Sequence, residues 1–224
     1  QWIFNEYMNT QKLVSKNIKD FRFDEAAKKA YQFVWHSYCD WYLEFLKPIF
    51  NSKKKSEIKE AKSFSSFMMA NILKILHPFI PFFTETVWSK NKYKSIFKTD
   101  LISSTWPDFQ KPKNFNKNQN DINNLIELIT SIRSTKAELK ITPKLFCDLS
   151  FSEKSNNLKK LVNNNLDLVK QIGRVNTINK NKKKDDNTIE ILVLKEKLSL
   201  MFNEDVELVS QKERISQKIE NITK

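Results

Sequence analysis

The residues of this chain best suited to chemistry are aromatic, and they are concentrated in one helix-length segment, residues 31–48. Exposed aromatic rings stack on unpaired nucleobases, a contact worth about 1–3 kcal/mol per base. A helix so rich in large apolar residues must nevertheless bury most of them against neighbouring helices. We therefore expect one of four rings in this segment to contact RNA and the other three to lie in the core. The four candidates are Trp35, Tyr38, Trp41 and Tyr42.

Basic residues offer a second chemistry, contact with phosphate. The chain has 39 Lys and Arg against 26 Asp and Glu, and its net charge of +13 favours a polyanionic partner. The excess is concentrated in residues 51–120, which hold 13 basic and 5 acidic residues. An alternative is an AT-rich genome that places Lys and Asn wherever the surface tolerates them. The candidate phosphate contacts are Arg22, Lys47, Lys53, Lys54, Lys55, Arg133, Lys136 and Lys140.

The sequence contains no recognisable catalytic or metal-binding pattern. The two histidines, His36 and His77, lack partners at metal-ligand spacing. Cys39 and Cys147 lie in apolar surroundings without paired spacing, so we expect reduced core cysteines. The single glycine, Gly173, belongs to no phosphate-binding loop. We therefore predict no catalytic residue, metal or cofactor in these residues, and no membrane span, because no apolar run reaches about 18 residues.

Helical periodicity dominates the first 140 residues. Apolar residues recur there at three-, four- and seven-residue steps. The predicted helices are Ile3–Ile18, Asp24–Leu46, Ser56–Leu76, Thr84–Trp88 and Asp121–Ala137. Asp24 and Thr84 are the expected N-caps of the second and fourth helices. We expect Pro48 to stop the second helix, and Pro78 and Pro81 to separate the third helix from the fourth.

Beyond Pro143 the apolar period changes to two. Alternation of apolar and other residues over 145–151 predicts a strand with one buried face. The elements expected after it are a helix at 155–170, strands at 172–178 and 188–194, and a charged turn at 179–187. Leu208, Ile215 and Ile222 then recur every seven residues, as in a coiled coil.

These patterns predict a mainly α fold. We expect a helical bundle over residues 1–110, a small α+β unit over 111–203, and the start of a coiled-coil arm over 204–224. Residues 110–120, rich in Lys and Asn, are interpreted as the linker. Because the chain opens and closes inside predicted helices, we expect a fragment of a longer protein.

Three ordered motifs resemble the anticodon-binding part of valyl-tRNA synthetases. Residues 33–44 read Phe-Val-Trp-His-Ser-Tyr-Cys-Asp-Trp-Tyr-Leu-Glu, where that family has Phe-x-Trp-x-x-Phe-Cys-Asp-Trp-Tyr-Leu-Glu. Residues 77–88 resemble its His-Pro-Phe-x-Pro-Phe-x-Thr-Glu-Glu-Leu-Trp segment, and Trp106-Pro107 its closing Trp-Pro. Residues 132–143 resemble Ile-Arg-x-x-Arg-Ala-Glu-x-x-Ile-x-Pro, with Lys136 in place of an arginine. That exchange keeps the charge and loses bidentate geometry.

The resemblance implies the tRNA-recognition part of a class I synthetase. It implies tRNA(Val) as the partner, Tyr38 as the ring nearest the anticodon, and an arm that touches the tRNA. Arg22, Lys47 and the lysines at 53–55 would meet the anticodon stem-loop, while Arg133, Lys136 and Lys140 would meet the tRNA body. The catalytic and editing domains would lie outside these residues. ATP and Mg²⁺ would be used by the whole enzyme and not by this part of it. The location implied is cytoplasmic and the state monomeric.

Two alternatives remain at this point. The helical domain is shared with isoleucyl- and leucyl-tRNA synthetases, although Cys-Asp-Trp-Tyr-Leu-Glu at residues 39–44 favours valine. A helical scaffold that binds protein partners, with incidental charge, belongs to another class. Weak salt dependence of RNA binding, or no RNA binding at all, would favour the scaffold.

Overall fold

The computed structural model describes residues 1–109, 119–152, 155–179 and 188–202. The chain divides into two compact units, Gln1–Gln119 and Asn120–Lys224. The mainly α class with a small α+β part is confirmed. Most of the predicted linker, most of the charged turn at 179–187 and the predicted coiled coil at 204–224 lie outside the described residues.

The first unit is built from helices. They are α1 (Trp2–Lys19), α2 (Phe23–Gln32), a π-helix (Phe33–Tyr42), α3 (Leu43–Asn51), α4 (Lys55–Leu76), α5 (Pro81–Lys90), α6 (Tyr93–Phe97) and a 3₁₀ turn (Leu101–Ser103). α1 and α4 are joined in the core, where the Tyr7 hydroxyl donates to the Asn71 carbonyl at 3.1 Å. The predicted helices at 3–18 and 56–76 are therefore confirmed within two residues.

The second predicted helix is longer than expected, and its winding changes midway. Helical backbone runs without a break from Phe23 to Asn51 through the π-helix, where the Leu43 N–H bonds the Tyr38 carbonyl five residues back. The expected stop at Pro48 is wrong, because the helix continues for three residues after it. A proline so near a helix end removes only one N–H bond.

Both expected N-caps are wrong. Arg22 precedes α2, and Asp24 lies in its first turn, where a carboxylate still favours the helix dipole. Thr84 lies inside α5, which begins at Pro81 because proline suits the first helical position. The buried Thr84 hydroxyl is 3.0 Å from the Ile80 carbonyl and 2.8 Å from His77 Nδ1. If the hydroxyl donates to the carbonyl, Nδ1 of His77 is the donor to the hydroxyl. The imidazole ring then links the end of α4 to α5 and has a structural role.

The second unit packs helices with a four-stranded sheet. Its elements are α7 (Gln119–Glu138, beginning one residue before the unit), β1 (Cys147–Phe151), α8 (Asn156–Asn164), α9 (Leu166–Gly173), β2 (Val175–Asn179), β3 (Thr188–Val193) and β4 (Glu196–Met201). The strand order is β2-β1-β4-β3, with β1 and β2 parallel and the other pairs antiparallel. The predicted helix at 121–137 and strand at 188–194 are confirmed.

Other expectations for this unit need correction. β1 is buried on both faces, because it is a central strand and its polar groups are satisfied internally: Asp148 accepts the Thr177 N–H at 3.0 Å. The helix expected at 155–170 is divided at Asn165. The strand expected from Ile172 begins at Val175, since residues 172 and 173 end α9.

Candidate nucleic-acid interface

Tyr31 and Trp35 form an exposed, stacked aromatic pair in the first unit. Their rings are parallel within 4°, with centroids 6.2 Å apart, and the two residues are 59% and 54% exposed. The pair spans the junction of α2 and the π-helix, one turn apart. His36 meets Tyr31 edge-on at 6.5 Å. The expectation that Trp35 lies in the core is therefore wrong, and the surface instead presents a two-ring platform.

Tyr38, the ring expected to meet RNA, is buried. It is only 3% exposed and lies 5.3 Å from the ring of Tyr42. Burial raises the pKa of its phenol, and the neighbouring Tyr42 raises it further. A ring enclosed in this way cannot stack on a base. Tyr38 is implied by the family resemblance rather than by helical spacing, and in this structure the exposed rings of the segment are instead Tyr31 and Trp35.

The remaining two rings of the segment follow expectation. Tyr42 is buried, and its hydroxyl is 3.2 Å from the Ser65 hydroxyl. Trp41 is partly buried and packs against Phe45 with centroids 5.9 Å apart. Cys39 is a partly buried free thiol, and burial raises its pKa. A thiol held in its protonated form is a poor nucleophile.

The basic candidates of the first unit differ in how their charge is compensated. Arg22, Lys53 and Lys55 are exposed. Lys47 pairs with Glu44, and Lys54 pairs with Glu57 at 2.9 Å, which raises the Lys54 pKa. Arg22, Lys53 and Lys55 are therefore accessible to an anion, whereas Lys47 and Lys54 would have to exchange a weak carboxylate pairing for it. Lys28, which the sequence pattern did not single out, is exposed three residues before Tyr31 and seven before Trp35.

A second basic feature of the first unit is a groove along α1. It encloses about 820 Å³ between α1 and the segment at Trp106, whose indole N–H donates to the Ser15 hydroxyl at 2.8 Å. Lys12, Lys16 and Lys19 line it at four- and three-residue spacing, a signal that was present in the sequence. Its acidic residues, Asp20 and Asp108, offset part of this charge.

In the second unit, Lys136 is buried rather than exposed to solvent. It is 2% exposed, and its ammonium donates to the carbonyls of Leu145 at 2.8 Å, Gly173 at 3.4 Å and Arg174 at 3.5 Å. Burial lowers its pKa. Lys136 is therefore not on the surface, where the expected contact with tRNA would need it, and that contact stays a prediction.

The flanking residues Arg133 and Lys140 are exposed. Arg133 donates from Nη2 to the Ile172 carbonyl at 3.2 Å, and Lys140 follows α7 with a left-handed φ of 54°. Of the three basic residues expected to act together on α7, two thus remain surface candidates. Arg174, which the sequence pattern did not single out, lies over the ring of Phe146. It is exposed, and it is the third surface cation of this unit to be considered, with Arg133 and Lys140.

Other site types are not found in the part of the chain described. No group of three or more potential metal ligands occurs among residues 1–109, 119–152, 155–179 and 188–202. Within the same ranges, no helix has the length and apolar character needed to cross a bilayer.

A helical bundle that presents stacked rings beside lysines has the features of an RNA-recognition module. The family model described as "Anticodon-binding domain of tRNA ligase" matches residues 1–151. The chain belongs to this family, which confirms the resemblance found in its motifs.

Curated relatives of the chain are named "Valine--tRNA ligase". The protein of Pelagibacter ubique is 38% identical over 93% of this chain and 23% of its own length. That of Zymomonas mobilis is 32% identical over 100% of this chain and 25% of its own length. That of Brucella suis is 39% identical over 63% of this chain and 15% of its own length. The chain thus spans a quarter or less of these relatives.

Proposed function

We propose that this chain is the tRNA-recognition part of a valine–tRNA ligase and that its first unit binds the anticodon arm of tRNA(Val). The observation that carries the proposal is the exposed Tyr31–Trp35 stack on the bundle that the family model covers. The names of the relatives support valine over isoleucine or leucine. Ligation of valine with ATP and Mg²⁺, and editing, would be carried by other domains of a monomeric cytoplasmic enzyme.

The proposed recognition has two parts. Anticodon bases that splay out of the loop stack on the outer ring of the Tyr31–Trp35 pair, which is already ordered by its own stacking and loses little freedom on binding. Exposed cations then hold the phosphates and fix the register of the RNA without reading its sequence. Lys28 is suited to this role because its helical spacing places it on the face of the ring pair.

The deciding experiment measures fluorescence anisotropy of the chain with a tRNA(Val) transcript and with an anticodon-swapped copy, at low and moderate salt. The proposal predicts tighter binding to the tRNA(Val) transcript. Replacing Trp35 with Ala is expected to weaken that binding by about 1–3 kcal/mol, roughly 5- to 150-fold, because one stacking surface is lost.

Two variants control this measurement. Trp35→Phe keeps a ring and is expected to retain most of the affinity. Phe82→Ala removes a ring that is 90% exposed elsewhere in the first unit and is expected to leave binding unchanged. Equal affinity for both transcripts would show RNA binding without anticodon specificity. Absence of binding to either transcript would favour the alternative of a protein-binding scaffold.

A further inference from the structure

An aromatic–cation pair lies in the second unit, away from the π-helix segment in sequence. The guanidinium of Arg174 lies over the ring of Phe146, with 5.7 Å between its central carbon and the ring centroid. Phe146 is 48% exposed, and Arg174 is also exposed. An exposed phenylalanine covered by an arginine presents two flat surfaces and several N–H donors at one place.

The backbone of Arg174 is held at three points. Its carbonyl accepts the Cys147 N–H at 3.0 Å and the Lys136 ammonium at 3.5 Å, and its own N–H bonds the Lys170 carbonyl. Its φ of 54° is left-handed, a conformation that glycine adopts far more easily than arginine. The adjacent Gly173 does not take it. A left-handed residue is a common way for a helix to end, and here it fixes where the Arg174 side chain starts, beside the exposed ring of Phe146.

Positive charge is gathered around this pair. The ammonium of Lys136 lies beneath it and is bound to carbonyls, while the exposed Arg133 bonds the Ile172 carbonyl two residues before Arg174. After burial, which has the largest effect, the charges of Arg174 and Arg133 also lower the pKa of Lys136. Three cations are therefore near enough to act on one another, and an approaching phosphate would relieve their repulsion.

We propose that Phe146, Arg174 and Arg133 form a second RNA-contact site that binds an unpaired nucleotide. Its base stacks on the Phe146–Arg174 pair, and its phosphate accepts hydrogen bonds from the guanidinium groups. That the RNA is a tRNA rests on the proposed function. That the site can bind a nucleotide follows from Phe146, Arg174 and Arg133 and does not depend on the proposed function.

Arg174→Gly is the sharpest test, because glycine suits the left-handed backbone and removes only the side chain. Its matched control is Lys195→Gly, which removes another exposed cation from a left-handed residue of the same unit, with φ of 64°. Arg174→Gly is expected to weaken binding of the tRNA(Val) transcript about 5- to 100-fold, and to lower the salt slope by about one. Lys195→Gly is expected to change affinity by less than about twofold.

Phe146→Leu and an unstructured RNA complete the experiment. Phe146→Leu keeps an apolar side chain without a ring, and it is expected to weaken binding to a similar extent as Arg174→Gly. An unstructured RNA of about 12 nucleotides should show the same order of affinities. If Arg174→Gly and Phe146→Leu bind both RNAs as tightly as Lys195→Gly, the second site is overturned.

The outcomes separate this inference from the proposed function. Discrimination between anticodons by the wild type, with no effect of Arg174→Gly or Phe146→Leu, overturns the second site alone. Loss of binding to unstructured RNA in these variants, with no anticodon preference in the wild type, supports the second site and overturns the proposed function. Absence of wild-type binding to either RNA overturns both.

Discussion

Burial of the Tyr38 phenol is one reason why the first unit should lose stability at high pH, and burial also raises the pKa of Tyr7 and of Tyr42. The pKa of Tyr38 lies above the ordinary value of 10.0, first because burial removes hydration. As pH rises past 10, the unfolded chain loses this proton while the folded chain keeps it. The unfolded state then binds fewer protons, so the free energy of unfolding falls with pH above 10 and is unaffected by this group below it.

Tyr38→Phe is expected to reduce the alkaline loss of stability. At pH 7 the change should alter the free energy of unfolding by about 1 kcal/mol or less, because the ring is kept. Between pH 10 and 11 the variant should lose less stability than the wild type in urea titrations. Tyr31→Phe is the control, since it removes a hydroxyl from an exposed ring and leaves the buried Tyr38 in place. Equal slopes for Tyr38→Phe and wild type would contradict the argument.

Lys136 shows what a residue-level pattern can and cannot predict. Its spacing from Arg133 and Lys140 indicates a basic face, but its spacing from Ile129 and Ile132 equally places it on the buried stripe of α7. The structure selects the second face, because carbonyls at the end of α9 and before β1 receive the ammonium. Those carbonyls come from residues 9 to 38 positions away, and no local pattern could have revealed them.

Among the elements, α3 contains a proline whose removal should stabilise the protein. Pro48 cannot donate to the Glu44 carbonyl, and its ring crowds that turn. Pro48→Ala restores the bond and is expected to raise the free energy of unfolding by about 1 kcal/mol, after allowance for the greater freedom of the unfolded chain. The measurement is the urea midpoint at neutral pH.

Pro81→Ala is the matched control for this prediction. Pro81 occupies the start of α5, where no N–H bond is missing and its fixed φ suits the helix. Its replacement should leave stability unchanged or lower it. A gain from Pro81→Ala as large as that from Pro48→Ala would show that position within the helix is not the cause.

The elements that the sequence predicts well are long and periodic. α1, α4 and α7 carry several apolar turns each, so local noise does not hide their period. β4 was missed, although Leu198 and Leu200 alternate in it. Its two-residue connection to β3, Leu194-Lys195, has left-handed φ at both positions without the Gly or Asn that normally marks such a turn.

Across the whole molecule, the number of lysines is not a direct measure of anion binding. Four lysines occupy left-handed positions where glycine or asparagine is easier to accommodate: Lys92, Lys98, Lys140 and Lys195. Lysine at such positions is what an AT-rich bias toward this residue would leave. Arg174 shares the conformation but differs from them, because its side chain lies over an aromatic ring. The net charge of +13 is therefore a poor count of phosphate contacts.

Salt dependence supplies a better count. A surface making several phosphate contacts should lose about a thousandfold or more in affinity between 50 and 200 mM salt. Lys53→Gln is expected to lower the slope of log affinity against log salt by about 0.9 if Lys53 contacts a phosphate. Binding isotherms of the tRNA(Val) transcript at four or more salt concentrations give this slope.

Lys54→Gln is the neighbour control for Lys53→Gln. Its ammonium already pairs with Glu57, so its removal should lower the slope less. Trp35→Ala should shift the line without changing its slope, because stacking releases no counterions. Identical slopes for wild type and Lys53→Gln would show that Lys53 makes no phosphate contact.

The π-helix between Phe33 and Tyr42 also limits how this chain can vary in length. Because its hydrogen bonds skip one more residue than those of an α-helix, it offsets the angular phase of everything after it. A one-residue deletion there, with a return to α-helical winding, would remove the widened turn and keep Leu46 close to its present direction, where it is now 5% exposed. An insertion that kept the present winding would instead rotate Leu46 out of the interior. This stretch is therefore expected to tolerate the loss of one residue better than the gain of one.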